Sequence, residues 1–214
     1  MKKILVILFG VVVLAGILLT SPVNKNDLIS SPQPTGSSSP KRIIGFLPYW
    51  ALGKNVRVYP EYMDQIIYFG VTLKPDGTIA KTDENDNLLQ EWVTLNSLEL
   101  EEIQTHAKET NTKVLIAVKN FSNPEIEALI SHRASTRRAI NSVKSLIKTY
   151  DFDGVNLDFE YFTLTDFDAM PFYTEFLNVL VTELRAEKAD VIISFDVNAT
   201  AVYQDNAYDM VRIG

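Results

Sequence analysis

Short apolar runs alternate along the chain with longer segments in which apolar residues recur every three or four positions. Five of these runs are rich in β-branched and aromatic residues, and they cover 43–50, 65–73, 113–121, 154–162 and 191–199. Runs of this length and composition are typical of strands that are covered on both faces of a parallel sheet. We therefore predict five buried strands.

The segments between these strands have the spacing of amphipathic helices. One covers 97–110, a second begins at Asn123-Pro124 with Asn123 as the N-cap, and two more place their apolar faces within 139–147 and 172–184. Strands that alternate with helices form a parallel sheet with right-handed crossovers. The chain is therefore predicted to be an α/β protein.

Two α/β architectures compete for this pattern, a doubly wound open sheet and a (β/α)8 TIM barrel. The open sheet is expected to carry a glycine-rich phosphate loop after a strand, but Gly45 and Gly70 are isolated. Polar and aromatic residues stand instead at the carboxyl ends of the strands, where barrel enzymes keep their active sites. The barrel is favoured and is predicted to be incomplete, with about five βα units, because a closed barrel needs about eight strands.

The start of the chain does not belong to this fold. Two lysines precede an uncharged apolar run over 4–20, which predicts a signal peptide or an N-terminal membrane anchor within 1–20. Residues 21–40 are rich in Ser and Pro and are predicted to form a linker. The remainder, 41–214, is expected outside the cell or in the cell envelope, with membrane contact only through 4–20 if that run is not cleaved.

Charge and cysteine content exclude several classes of function. The net charge of −7 argues against a nucleic-acid partner held by phosphate contacts. The chain contains no cysteine, so disulfides and thiolate metal sites are excluded. Both histidines fall on predicted helices, away from the acidic strand, and we expect neither a metal nor a cofactor.

The fourth strand contains the stretch DGVNLDFEYF at 153–162, in which polar and apolar residues alternate. Side chains along a strand point alternately to its two faces, so Asn156, Asp158 and Glu160 share one face. Solvated edge residues or a metal site are the alternatives, but three polar groups in phase on an apolar strand favour a catalytic function. Beside an ionised Asp158 in an enclosed pocket, Glu160 is expected to keep its proton at neutral pH. Such an acid can protonate a glycosidic oxygen.

The stretch DGVNLDFE also resembles the DGxDxDxE signature of glycoside hydrolase family 18, the chitinase family. The runs GFLPYW, KVLIAVKNF and VIISFDVNA resemble the first, third and fifth strands of that family. The resemblance covers essentially all of 41–214, in the family's order. It implies a partial catalytic domain of that family.

The resemblance further implies retaining hydrolysis of glycans that carry N-acetyl groups, with the substrate's own acetamido oxygen as the nucleophile. Glu160 would be the general acid and then the general base. Asp158 would orient the acetamido group and stabilise the oxazolinium ion. Asp153 would be a supporting structural acid, and Gly154 would leave room for close backbone packing.

Asn156 departs from the commonest form of the motif, which has Asp at this position. The form DGVNxDFE resembles the spore-cortex-lytic and spore-germination branch of the family, which moves the expected substrate from chitin toward peptidoglycan. We expect Asn156 to donate a hydrogen bond to Asp158. We also expect the loss of one negative charge to let Asp158 ionise more easily.

Four aromatic residues are candidates for stacking on sugar rings: Phe46, Tyr49, Trp50 and Tyr161. Core packing is the alternative for each of them. The family usually adds a Tyr on the sixth strand and a Trp on the eighth. Neither strand is found, so the chain is interpreted as C-terminally incomplete.

Three hypotheses follow. The first is an exported glycosidase acting on β-1,4-linked N-acetylglucosamine in peptidoglycan or chitin-like glycans, whose activity in this incomplete form is open. The second is a non-catalytic glycan-binding module on the same scaffold. The third is a membrane-tethered structural protein with a vestigial site.

Overall fold

The computed structural model describes residues 41–54, 56–162 and 166–197. The predicted signal or anchor segment and the predicted linker, within 1–40, lie outside the described residues. The sequence also predicts a fifth helix within 206–214, and that segment lies outside the described residues as well. Within the described part of the chain, no helix is long and apolar enough to cross a bilayer.

A single parallel sheet organises the described residues, and its strands lie side by side in their order along the chain. The strands are β1 (Ile44–Pro48), β2 (Gln65–Thr72), β3 (Lys113–Asn120), β4 (Gly154–Phe159) and β5 (Ile192–Phe195). A doubly wound sheet reverses its strand order at a switch point. Consecutive neighbours are instead the arrangement of a barrel wall. The prediction of an incomplete (β/α)8-type α/β fold is confirmed.

Helices follow the second, third and fourth strands. They are α1 (Gln90–Leu95), α2 (Leu98–Glu109), α3 (Asn123–Ser131), α4 (Arg133–Thr149) and α5 (Met170–Glu187). The four longer ones were predicted, and the side chain of Ser97 caps α2 by accepting a hydrogen bond from the Leu100 amide at 3.3 Å. The sequence did not reveal α1, because six residues are too few to show a helical period.

Several boundaries differ from the predicted ones. β4 ends at Phe159, so Glu160 follows the strand instead of belonging to it. β1 ends at Pro48, and Tyr49–Ala51 form a 3₁₀ turn. The N-cap of α3 is Ser122 and not Asn123, because Asn123 already has a place in the first turn beside Pro124.

The hydrophobic core lies between the sheet and the helices. From β4 it receives Val155, Leu157 and Phe159, each at most 1% exposed. A smaller buried cluster lies on the other face of the sheet and contains Ile67 and Leu115. The apolar half of the fourth strand therefore packs against helices, as predicted, and its polar half faces the inner side of the sheet.

Close approach of neighbouring strands depends on two glycines. A Cβ atom on Gly154 would lie 1.8 Å from the carbonyl oxygen of Ile192, which confirms the expected tight packing of β4 on β5. A Cβ atom on Gly70 would lie 2.3 Å from the carbonyl oxygen of Ala117. The pairing of β2 with β3 shifts at Gly70, and beyond the shift Thr72 lies beside Lys119.

Candidate active site

The candidate site lies on the inner face of the sheet, at the carboxyl ends of the central strands. Paired residues of a parallel sheet point to the same side. Asn156 pairs with Ala117 of the inner cluster, and Asp158 pairs with Lys119. Both polar residues of β4 therefore face inward, as the alternation in the sequence predicted.

Asp158 is a buried carboxylate. Its exposed fraction is 7%, and its pKa is raised from 3.8 to about 6. Burial is the main cause, and the negative charges of Asp196 and Glu160 add to it, whereas the positive charge of Lys119 acts in the opposite direction. Asn156 is neutral and is not among these causes, and the expectation that it leaves Asp158 easier to ionise than an Asp at position 156 would stays a prediction.

Glu160 lies next to Asp158 but is exposed to solvent. Its amide donates a hydrogen bond to the carbonyl oxygen of Asn120 at 3.2 Å, which continues the strand pairing by one step. We expected Glu160 in an enclosed pocket, and among the described residues it is not enclosed. The crowding that was expected around Glu160 is found around Asp158, which lies deeper in the sheet.

Asn156 is almost fully buried, with 1% of its surface exposed. Its Nδ2 donates to Ser194 Oγ at 3.0 Å and to Asp196 Oδ1 at 3.4 Å, both on the neighbouring strand or directly after it. The expected hydrogen bond from Asn156 to Asp158 is therefore replaced by bonds toward β5. Burial raises the pKa of Asp196, and the bond from Asn156 partly offsets this.

Asp153 stands at the opposite end of β4, at its amino-terminal side. Its Oδ2 accepts from the amide of Val114 at 2.9 Å, and its Oδ1 pairs with Lys113 Nζ at 3.0 Å. The carboxylate thus joins the start of β3 to the start of β4. These contacts are those of a supporting acid and not of one that reaches the candidate site.

Lys119, Glu91 and Thr72 form a polar cluster that the sequence analysis missed. Lys119 Nζ lies 2.9 Å from Glu91 Oε2 and 2.7 Å from Thr72 Oγ1. Both charged side chains are about nine-tenths buried, at 10% and 9% exposure. A signal was present, because Lys119 interrupts an apolar strand. The register that places it beside Asp158 cannot be read from one sequence.

The aromatic candidates separate into two groups. Trp50 is 44% exposed and makes edge contacts with the rings of Tyr49 and Phe69, with centroids 4.9 Å and 5.9 Å away. The ring of Tyr49 also lies 5.7 Å from Lys119 Nζ, so this group borders the site. Phe46 on β1 is 51% exposed, so it does not pack in the core of the described residues.

Tyr161 belongs to the second group, and its assignment to substrate binding is wrong. It is only 2% exposed and forms part of the core between sheet and helices. Its hydroxyl donates to Glu127 Oε1 at 2.8 Å. A ring buried in this way has no free face for a sugar.

The described residues contain no group of three His, Asp or Glu side chains close enough together to hold a metal ion. The chemistry that the site offers is that of carboxylates, amides and aromatic rings. Exposed Glu160, buried Asp158 and the Tyr49–Trp50 pair lie near the carboxyl end of the parallel sheet, where barrel-type proteins place their active sites.

Comparison with known families agrees with this class. Residues 42–214 match the family model described as glycosyl hydrolases family 18, and the chain belongs to that family. The prediction of the family is confirmed. The finer assignment to the spore-cortex-lytic branch stays a prediction.

Solved structures of similar fold include several chitinases. A family 18 chitinase from Cycas revoluta in complex with (GlcNAc)3 has a TM-score of 0.63 at 16% identity, over 81% of this chain and 52% of that one. The Group IV chitinase of Ostrinia furnacalis in complex with allosamidin gives 0.63 at 17%, over 81% and 48%. A chitinase from Bacteroides thetaiotaomicron gives 0.55 at 21%, over 73% and 46%. The chain thus spans about half the length of these proteins, and the similarity concerns their fold.

Proposed function

We propose that this protein is an exported glycosidase that hydrolyses β-1,4-linked N-acetylglucosamine in peptidoglycan or chitin-like glycans. One observation carries the proposal: buried Asp158 and exposed Glu160 lie together at the carboxyl end of β4, in a chain of family 18. Carboxyl ends of barrel strands are where this fold places catalytic residues.

In the proposed reaction, the exposed position of Glu160 lets its carboxyl group reach the glycosidic oxygen. Glu160 gives its proton to that oxygen as the bond to the anomeric carbon breaks. The acetamido carbonyl oxygen of the same sugar bonds to the anomeric carbon and forms a positively charged oxazolinium ring. Water then attacks the anomeric carbon and gives a proton back to Glu160 as the bond from that carbon to the acetamido oxygen breaks. The acetamido group is restored, and the product retains its configuration after two displacements.

Asp158 would orient the acetamido group and stabilise the positive ring. It can do so only as a carboxylate, and its pKa of about 6 leaves it mostly ionised at pH 7 and mostly protonated at pH 5. We therefore expect kcat/KM to fall as the pH is lowered through about 6. A profile that stays flat between pH 7 and pH 5 would contradict this role of Asp158.

The acetamido group is the sharpest test of the proposed mechanism. The full-length protein should release products from N-acetylglucosamine oligomers, and proton NMR should show the β-anomer first. Fully de-N-acetylated oligomers of the same length are the matched control, and they should be neither cleaved nor able to form the ring. Equal cleavage of both substrates would exclude the participation of the acetamido group.

Peptidoglycan is supported as a substrate by Asn156, through the resemblance of DGVNxDFE to the spore-cortex-lytic branch. Chitin is supported by the solved chitinases of similar fold, two of which were determined with (GlcNAc)3 or allosamidin. Release of reducing ends from purified glycan strands and from chitin oligomers, measured side by side, distinguishes the two.

Export is supported by the apolar run over 4–20 and the Ser- and Pro-rich segment after it. We expect a reporter fused to residues 1–40 to be found outside the cytoplasm. Extraction at high pH then distinguishes a retained anchor from a cleaved signal. A reporter that stays in the cytoplasm would exclude export by this segment.

A non-catalytic glycan-binding module remains the second candidate. The five strands that the structure describes motivate it, because a closed barrel has eight. Calorimetric titration with N-acetylglucosamine oligomers separates the two functions. Affinity without any turnover in the full-length protein would establish the binder.

A further inference from the structure

A buried cation lies directly beside the acid of the candidate site. Lys119 and Asp158 are register partners on β3 and β4, and both side chains face the inner side of the sheet. Lysine is rarely buried without a partner because its charge is costly to remove from water. The surroundings of Lys119 therefore need an explanation.

Two side chains, those of Glu91 and Thr72, clamp the ammonium group of Lys119. Glu91 Oε2 accepts from it at 2.9 Å, and Thr72 Oγ1 accepts from it at 2.7 Å. The other oxygen of Glu91 accepts from the Thr72 hydroxyl at 2.7 Å and from the Thr72 amide at 3.0 Å. Glu91 and Thr72 are thus bonded to each other as well as to Lys119.

The short helix that carries Glu91 is also held in place. The hydroxyl of Tyr68 on β2 donates to the carbonyl oxygen of Glu91 at 2.9 Å and lies 2.8 Å from Thr94 Oγ1. Both Tyr68 contacts are made on the helix side of the sheet, where Tyr68 is fully buried. The position of Lys119 is therefore set by contacts from β2 and α1 together.

Charges of both signs act on Asp158. Asp196, directly after β5, and Glu160, directly after β4, contribute negative charge, and Lys119 on β3 contributes positive charge. Asn156 is neutral and bonds toward β5. Tyr49 and Glu91 contact Lys119 and are the other titratable groups beside it. The pKa of Asp158 thus depends on one positive group, Lys119, whose effect opposes that of two negative groups, Asp196 and Glu160.

We propose that Lys119, clamped by Glu91 and Thr72, is a positioning residue of this site that keeps Asp158 as a carboxylate against the charges of Asp196 and Glu160. This inference rests on the proposed function, since it gives Asp158 its role toward the acetamido group.

Carbon-13 NMR of labelled aspartate carboxyl groups tests this directly in the full-length protein. In the wild type the Asp158 carboxyl should titrate near pH 6. In Lys119→Met its midpoint should rise by about one pH unit or more, because an opposite charge nearby is removed. The matched control is Lys113→Met, which removes a lysine paired with Asp153 at the other end of the same strand. The control should leave the Asp158 midpoint unchanged.

An unchanged Asp158 midpoint in Lys119→Met, or an equal rise in Lys113→Met, would overturn the proposal. The double variant Lys119→Met/Glu91→Gln leaves no unpaired charge in the clamp and is measured alongside, so the test survives if the single variant does not fold. Its midpoint should also rise, by less than in the single variant, and a midpoint equal to that of the wild type would overturn the proposal. Lys119→Arg keeps the charge and should keep the midpoint.

Enzyme kinetics separate this proposal from the proposed function. The acid limb of kcat/KM on N-acetylglucosamine oligomers should move with the NMR midpoint in every variant that is active. Absence of hydrolysis by the wild type would contradict the glycosidase proposal. The titration of Asp158 would still decide whether Lys119 controls the ionisation of Asp158.

Discussion

At the scale of single residues, the site is defined by how unequally two neighbouring acids are placed. Asp158 is buried and Glu160 is exposed, although they lie two positions apart. Their shared face could be predicted from the period of two along the strand. Their different burial could not, because it depends on where β4 ends and on what β3 and β5 place beside it.

The raised pKa of Asp158 has a consequence for stability. The folded state binds its proton more tightly than the unfolded state between pH 3.8 and about 6, so the free energy of unfolding falls as the pH rises through that window. The loss at pH 7 is at most about 3 kcal/mol. Asp158→Asn cannot ionise and so avoids this loss. The variant should have a higher free energy of unfolding than the wild type at pH 7.5 and a similar one at pH 4.

Urea unfolding at the two pH values measures this difference. The control is Asp151→Asn, since the Asp151 carboxyl is exposed and Lys108 lowers its pKa. Its loss should be slightly destabilising at pH 7.5, in the opposite direction to Asp158→Asn. If Asp158→Asn is less stable than the wild type at pH 7.5, the buried carboxylate of Asp158 does not destabilise the fold.

The aromatic residues give a prediction with two opposite outcomes. Trp50→Ala should weaken binding of N-acetylglucosamine oligomers about tenfold, since an exposed Trp is removed from the border of the site, with little change in stability. Tyr161→Phe should leave binding unchanged and cost about 1 kcal/mol of stability, because the partly buried hydrogen bond to Glu127 is lost. Calorimetry and urea unfolding measure the two effects, and reversed outcomes would return Tyr161 to the site.

At the scale of elements, most of the fold could be predicted because each strand is an apolar run and each longer helix has a clear period. The failures have physical causes. α1 is too short to show a period, and its Glu91 was therefore overlooked. The pairing of Lys119 with Asp158 depends on the register between strands, which involves residues far apart in the sequence.

Strand pairing at Gly154 gives the prediction at this scale. Gly154→Ala would place a methyl group 1.8 Å from the Ile192 carbonyl oxygen, so β4 and β5 must separate, and we expect a loss of about 3 kcal/mol or more. Gly45→Ala is the control, since its nearest contact is the flexible side chain of Met63 and the loss should stay below about 1 kcal/mol. Thermal unfolding measures both, and equal stability of the two variants would contradict the close approach of the strands.

At the scale of the whole molecule, the described residues form a parallel sheet of consecutive strands with the candidate site at its carboxyl end. The chain belongs to family 18 and covers about half the length of the solved chitinases it resembles. Hydrolysis by this chain is therefore a proposal, and it requires a proton donor, the role that we propose for Glu160.

The most direct measurement compares hydrolysis of N-acetylglucosamine oligomers by the full-length wild type, Glu160→Gln and Glu102→Gln. Glu102 lies exposed on α2, so the same change of charge is made away from the site. We predict that Glu160→Gln lowers kcat by at least about a hundredfold, because general acid–base catalysis contributes that much, and that Glu102→Gln hydrolyses at the wild-type rate. Equal rates for all three proteins would contradict the assignment of Glu160 as the proton donor.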